Sequence, residues 1–381
     1  NRTGRKRDYV GVLSSVFAIV IGLLVGFVIL LICNPSQALP GFVTILTGAF
    51  THGLKGVGQV FYYATPIILT GLSVGFAFKT GLFNIGTPGQ FIVGAFAAVY
   101  VGIMWTGLGR IQWAVALLAA ILGGALWGMV PGFLKACFNV NEVIASIMMN
   151  YIGMYMVNWI VKSYKPLFNN LRNESRNVAA TAQIPKMGMD KLFPESSVGG
   201  GILLAIAAVL VVAVLYLFFG TELGCGIRAT GCNPVMSRAQ GINTDFNKVL
   251  GLMVSNGMVA LSGALLAQYN GANEINVGRG AIVIGLAAVI IGDVLLGKVF
   301  RNFALKLVSV SIGAIIYYIV MQAVLAMGLN PNYLKALSAL VVAVFLSIPY
   351  WKGKYFHASV KAGGADVSAE AEASIGGDRN A

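Results

Sequence analysis

The stretch GGILLAIAAVLVVAVLYLFF, residues 200–219, carries no charged side chain and runs straight into TELGCGIRATGCNPVMSRAQGIN, 221–243. A hydrocarbon core of about 30 Å is crossed by roughly 20 mostly apolar residues, so 200–219 reads as a membrane span and 221–243 as the polar connection that follows it. The pattern repeats on both sides. Further spans are predicted at about 11–32, 62–79, 89–106, 113–133, 142–163, 249–270, 280–297, 307–327 and 334–350. The fold class is therefore an all-α membrane protein, a polytopic bundle of about ten transmembrane helices with re-entrant or broken segments. Composition agrees: 57% of the 381 residues are hydrophobic and 10% charged, against about 25% charged in a soluble chain.

The charge pattern sets an orientation. With Arg2, Arg5, Lys6 and Arg7 on the cytoplasmic side, ten crossings also place Lys135, the 220–248 loop, Lys298, Arg301, Lys306, Lys352 and Lys354 there, as the excess of Lys and Arg in cytoplasmic loops requires. Both termini are then cytoplasmic, and the 164–199 loop is external despite its own basic residues. The expected layout is a permease domain over 1–356 and a disordered cytoplasmic tail over 357–381, the protein being multi-pass in a bacterial inner membrane. The run at 11–32 is too long for a signal-peptide core and reads as a retained span. The 40–61 segment, with His52 and Lys55, is less apolar and is predicted as short helices at the outer surface or a partial eleventh span.

The formal charge of +13 lies in short clusters beside apolar runs, which excludes nucleic acid as a partner and fits contact with membrane lipid. Four cysteines without a C-x-x-C pair and two histidines in the whole chain leave no metal site to build. The stretch GDVLLGKV (292–299) has the outline of a phosphate-binding loop, but Val299 stands where a Ser or Thr must hold magnesium. No cofactor is expected in this chain, and no paired catalytic carboxylates or Ser-His arrangement lies within the spans, so an intramembrane enzyme is disfavoured. A secondary transporter would need an intramembrane acid, and Asp293 near a span end is the main candidate.

Small residues mark helix packing at Gly124, Gly128 and Gly132, and again at Gly71 and Gly75. Two interruptions look alike: Phe83-Asn84-Ile85-Gly86-Thr87-Pro88-Gly89-Gln90 leads into FIVGAFAAV, and Asn276-Val277-Gly278-Arg279-Gly280 leads into AIVIGLAAV. Such breaks at matching places in two halves point to a transporter's central site. In the fifth span Glu142, Ser146 and Asn150 share one helix face, and polar groups there avoid lipid. The candidate pathway residues are therefore Asn84, Gln90, Glu142, Ser146 and Asn150. Glu142 has a second reading, an ion pair with Lys135; Tyr151, Tyr155 and Trp159 could stack on a flat solute or simply pack.

The 220–248 loop contains a bounded helix over 234–240, with Asn233 as N-cap, Pro234 at the first position and Gly241 past its end. Val235, Met236 and Ala239 give it an apolar side suited to a groove on a partner.

On AFKTGLFNIGTPGQFIVGA (77–95), NEVIASIMMNYI (141–152) and TELGCGIRATGCNPVMSRAQGIN (221–243), the chain resembles the ABC permeases of the nucleoside and simple-sugar uptake class, ribose-type and branched-chain-amino-acid-like, over about 10–350. The resemblance implies a translocation subunit that pairs with a second permease. It also implies cytoplasmic ATPases that carry ATP and Mg, and a substrate-binding lipoprotein or periplasmic protein that delivers solute. The ATPase-coupling segment, about 221–248, maps onto Arg228, Ala229, Gly231, Asn233 and Gly241, with Pro234, Val235, Met236 and Ala239 forming the docking helix between them. Pro88 departs from that pattern, which carries an acidic residue before Gly-Gln, and nucleoside, simple sugar and amino acid all stay open as solutes.

Overall fold

A computed structural model gives the fold and describes residues 53–169, 174–185, 196–273, 278, 280–296 and 303–326, with isolated positions before 53 and at 343. Among the described residues the α-helices are α1 (Gly53–Lys79), α2 (Thr87–Met104), α3 (Gln112–Phe138), α4 (Glu142–Ser163), α5 (Ser196–Gly220), α6 (Glu222–Cys232), α7 (Pro234–Ala239), α8 (Thr244–Asn270), α9 (Ala281–Leu296) and α10 (Phe303–Ala326). Stretches long and apolar enough to cross a membrane occur at Val60–Lys79, Thr87–Met104, Thr106–Phe138, Glu142–Ser163, Gly201–Gly220 and Thr244–Asn270, with shorter apolar ones at Val283–Asp293 and Leu305–Ile319. The chain is thus an all-α, multi-pass membrane protein. The spans expected at 11–32 and 334–350 and the tail at 357–381 lie outside the described residues.

Two expectations need correction. Residues 53–61 are not separate surface helices: they are the first turns of α1, which continues without interruption to Lys79. The connection after α5 is not one short helix in a loop either. Thr221 caps a second helix, α6, its hydroxyl accepting from Gly224 N at 3.2 Å. Glu222 sits in the first turn, where a negative charge suits the helix dipole.

The fold is two similar halves. In the first, a 27-residue helix (α1) is followed by a break, a shorter helix (α2) and α3; in the second, 27-residue α8 is followed by a break, α9 and α10. Each long helix packs on the hairpin of the other half, α8 on α2–α3 and α1 on α9–α10, and the two long helices also pack on each other. They run antiparallel. Tyr62 donates to Asn270 at one end, Ser262 donates to the Pro66 carbonyl further in, and Ser73 meets Ser255 beyond that.

Small side chains make these approaches possible, as their spacing predicts. Gly124, Gly128 and Gly132 of α3 are buried against Ala260, Asn256 and Val249 of α8, and Gly71 of α1 faces Ala288 and Val310. In the apolar interior of a membrane, close packing and interhelical hydrogen bonds replace the hydrophobic drive that assembles soluble helices. At the Met104 end, residues 164–169 and 174–185 fold back over the bundle: Ala179 N donates to Gly102 O, and Val178 N to Gly271 O.

Candidate functional site

The site is the break between α1 and α2. After Lys79 the chain turns at Gly81 (φ +72°) and runs non-helically until α2 starts at Thr87. Asn84, in that stretch, lies against Asn256, near the midpoint of α8. The N-terminus of α2 is therefore set deep in the bundle. Non-helical backbone is tolerated at such depth only where protein supplies its hydrogen bonds.

Asn84 supplies them. Its Oδ1 accepts from Gly86 N at 3.1 Å and from Gln90 Nε2 at 3.2 Å; its Nδ2 reaches Asn256 Oδ1 at 2.5 Å, and Gln90 Oε1 and Ser255 Oγ at 3.2 Å each. Ser255 in turn exchanges hydrogen bonds with Ser73, their hydroxyls 2.8 Å apart. All five side chains are at most 2% exposed. Ser73, Ser255 and Asn256 escaped the sequence reading. The signal was available in polar residues at mid-span, L-S73-V and V-S255-N256-G, yet nothing local joins positions 182 residues apart.

Ser146 and Asn150 are brought to the same break by α4, which runs alongside α2. The Ser146 carbonyl faces Gly86, and a Cβ placed at Gly89 would come within 2.6 Å of Asn150 Cα, so only glycine fits there. Ser146 Oγ, Asn150 Oδ1, Thr87 Oγ1 and Asn256 Nδ2 are buried with no hydrogen-bond partner among the described residues. Unmet buried polar groups each cost about 1–3 kcal/mol. Glu142 is not part of this cluster: its carboxylate pairs with Lys135 at 3.0 Å, at the other end of its helix face. The second interruption also arrives here, because Gly278, just ahead of α9, packs against the Pro88 carbonyl and Ile92. The two similar breaks therefore meet in space.

The connection 221–243 touches this site mechanically. Asn233 Oδ1 accepts from Val235 N and Met236 N at 3.1 and 3.0 Å, capping α7, and Gly241 (φ +81°) ends it. Val235 and Met236 at the tip are 78% and 59% exposed, and Ala239 beside them is exposed. Arg238 reaches back to α8, donating to Thr244 Oγ1 at 2.9 Å and pairing with Asp245 at 3.0 Å, while Lys248 holds Asp245 from the other side at 3.1 Å. Asn247 of α8 donates to Thr230 of α6. Gly231 of α6 abuts the Lys79 carbonyl and Gly81, the start of the break, and Ala229 and Arg228 are half-buried one turn before it. One unit, α6–α7, is thus anchored both to the break and to the helix whose midpoint holds the polar cluster.

The described residues contain no group of three His, Cys, Asp or Glu side chains able to hold a metal. The central cluster consists of amides and hydroxyls and carries no ionisable side chain. It can offer a solute hydrogen bonds but no charge.

The chain matches the family described as the permease component of the branched-chain amino acid transport system over residues 56–346. It is 34% identical to the guanosine ABC transporter permease protein NupP of Bacillus subtilis, across 66% of this chain and 71% of that one. It is 30% identical to the nucleoside ABC transporter permease protein NupB of Lactococcus lactis, covering 67% and 70%, and 30% identical to a tyrosine transport system permease protein of Clostridioides difficile, covering 77% and 91%. No solved structure matches. With the match spanning most of the chain and both helical breaks inside it, this protein belongs to the permease family of the branched-chain amino acid transport system type, and its relatives include ABC transporter permeases for nucleosides.

Proposed function

We propose that the chain is the translocation subunit of an ATP-driven importer in a bacterial inner membrane, that it takes up nucleosides, and that ATP is hydrolysed on a separate cytoplasmic partner. A capped, apolar-tipped helix tied by Arg238 to α8, whose midpoint bonds Asn84, is the observation that carries the coupling. The uncharged polar cluster suits a neutral solute rich in hydroxyl and amide-like groups. Its hydrogen bonds are internal and can be exchanged for bonds to solute, which keeps binding weak enough for release. Likeness to guanosine and nucleoside permeases supports the solute class.

The permease is proposed to work with a second permease subunit, with the ATPase seated on Val235, Met236 and Ala239, and with a binding lipoprotein or periplasmic protein on the opposite side. An aromatic amino acid is the second reading, favoured by the likeness to the tyrosine system. Uptake of radiolabelled guanosine by cells with and without the gene tests the choice. Gene-dependent uptake that unlabelled adenosine suppresses and tyrosine does not is expected; gene-dependent tyrosine uptake with no guanosine signal would reverse the assignment.

A further inference from the structure

The face of α1 that meets the other half is packed at Gly71 and open at Gly75. A Cβ at Gly71 would come within 3.0 Å of Val310 Cγ1 and 3.2 Å of Ala288 Cβ, so that contact is already tight. One turn on, a Cβ at Gly75 would meet nothing nearer than 3.9 Å. In front of Gly75 lies a cavity of about 360 Å³ between α1, α5, α9 and α10. This is the lower end of the range for ligand pockets, about 300–1,000 Å³. Its wall is apolar, made of Leu72, Phe76, Phe219, Val289, Leu307 and Val310.

Three charged side chains line the same cavity: Lys79, Asp293 and Lys306. Each stands at the end of an apolar stretch. Lys79 closes Val60–Lys79, Asp293 closes Val283–Asp293, and Lys306 is the second residue of Leu305–Ile319. They therefore share one level, where hydrocarbon gives way to headgroups. None of the three makes an ion pair or a side-chain hydrogen bond among the described residues. A polar solute finds no partners along six apolar side chains, whereas an acyl chain does. Basic pockets between membrane helices suit lipid headgroups, and two lysines alone would accept any phosphate. Asp293 on the same wall narrows the choice. It repels a headgroup that is only anionic and attracts one whose phosphate is followed by a cation.

We propose that this cavity binds one phospholipid, phosphatidylethanolamine, with its phosphate on Lys79 and Lys306, its ammonium on Asp293 and an acyl chain running past Gly75. The lipid fills the gap between α1 of one half and the α9–α10 hairpin of the other, at the last turn of α1 before the break. It gives Asp293 a role that the transport reading leaves open.

The test uses the full-length protein, purified in detergent and offered phosphatidylethanolamine and phosphatidylglycerol with identical acyl chains, with native mass spectrometry counting the lipid retained. Wild-type protein should prefer phosphatidylethanolamine by about fivefold, the scale of one partly exposed charge pair. Asp293→Asn should abolish or invert that preference, and Lys306→Gln should lower retention of both lipids. Gly75→Leu should exclude either lipid, and the two rim substitutions decide the matter if the Gly75→Leu protein does not fold. Phosphatidylethanolamine carrying a photo-reactive diazirine in its acyl chain locates the site: adducts should fall on residues 72–79, 289–293 and 306–310. Equal retention of the two lipids by wild type, or a preference unchanged by Asp293→Asn, would overturn the proposal. So would adducts spread over the outer faces of α3 and α5, where Leu122 and Leu210 are exposed, or none at the cavity, the result expected if residues 327–350 of this chain fill it. Retention is read without transport, so the result is independent of the solute assignment.

Discussion

Asn84 has two amide hydrogens and three acceptors within reach, in Asn256, Ser255 and Gln90. It is the residue on which the break depends. Replacing it with leucine leaves Gly86 N–H, the Gln90 amide and Asn256 Oδ1 unmet, at about 1–3 kcal/mol for each group that stays unpaired. Asn84→Leu should therefore lower the unfolding temperature of the detergent-purified protein as well as uptake. Asn150→Leu should behave differently. Its buried Oδ1 already lacks a partner, so the substitution costs little stability, and the Asn150→Leu protein should assemble normally but import poorly. Normal import by an intact Asn150→Leu protein would place Asn150 off the pathway. The sequence marks Asn84, Gln90, Ser146 and Asn150 as polar groups in or beside apolar spans. It shows Ser73, Ser255 and Asn256 as polar residues at mid-span but not that they join Asn84, because the network is made by packing α1 against α8, and no local spacing encodes that.

On the proposed coupling, the α6–α7 unit transmits whatever docks on its tip. The Arg238–Asp245 pair is exposed, 65% and 45% at its two side chains, and exposed pairs contribute only about 0–1 kcal/mol to stability. Arg238→Ala should accordingly leave folding and ATPase association intact while lowering solute moved per ATP hydrolysed, as measured in reconstituted vesicles. Unchanged coupling would show that α7 moves α8 by another route. Ala239→Glu and Gly241→Val test the proposed docking step. The first puts a carboxylate on the apolar side, and the second forces a β-branched residue into a φ of +81°, a region open to glycine. Both should insert normally and lose co-purifying ATPase. The cap of α7 is legible in Asn233-Pro234 and Gly241. Helix α6 is less so, because Gly224, Gly226 and Gly231 read as loop; Gly231 is small for a tertiary reason, its approach to Lys79 and Gly81.

At the scale of the molecule, apolar runs are enough to locate the spans among the described residues, and the likeness of FIVGAFAAV to AIVIGLAAV anticipates two halves whose breaks meet. What hydropathy misses is polarity at a helix end: His52 and Lys55 lowered it near the start of α1, although that helix simply extends beyond its apolar part. Orientation follows from charge alone and needs its own check. Ser175 is buried, with its backbone N–H bonded to the Asn273 carbonyl, so a probe belongs at exposed Asn177 on the same segment. A cysteine there, in a background lacking the four native cysteines, should react with an impermeant maleimide in intact cells, and labelling only after permeabilisation would invert the orientation.

The most direct measurement is uptake into proteoliposomes holding this permease, its partner permease and the ATPase, with the loaded binding protein added. Guanosine should accumulate only with ATP on the ATPase side and should stop when the ATPase is omitted or Gly241 is replaced by valine. Accumulation driven by a proton or sodium gradient without the ATPase would contradict an ATP-driven importer and turn attention to a secondary transporter.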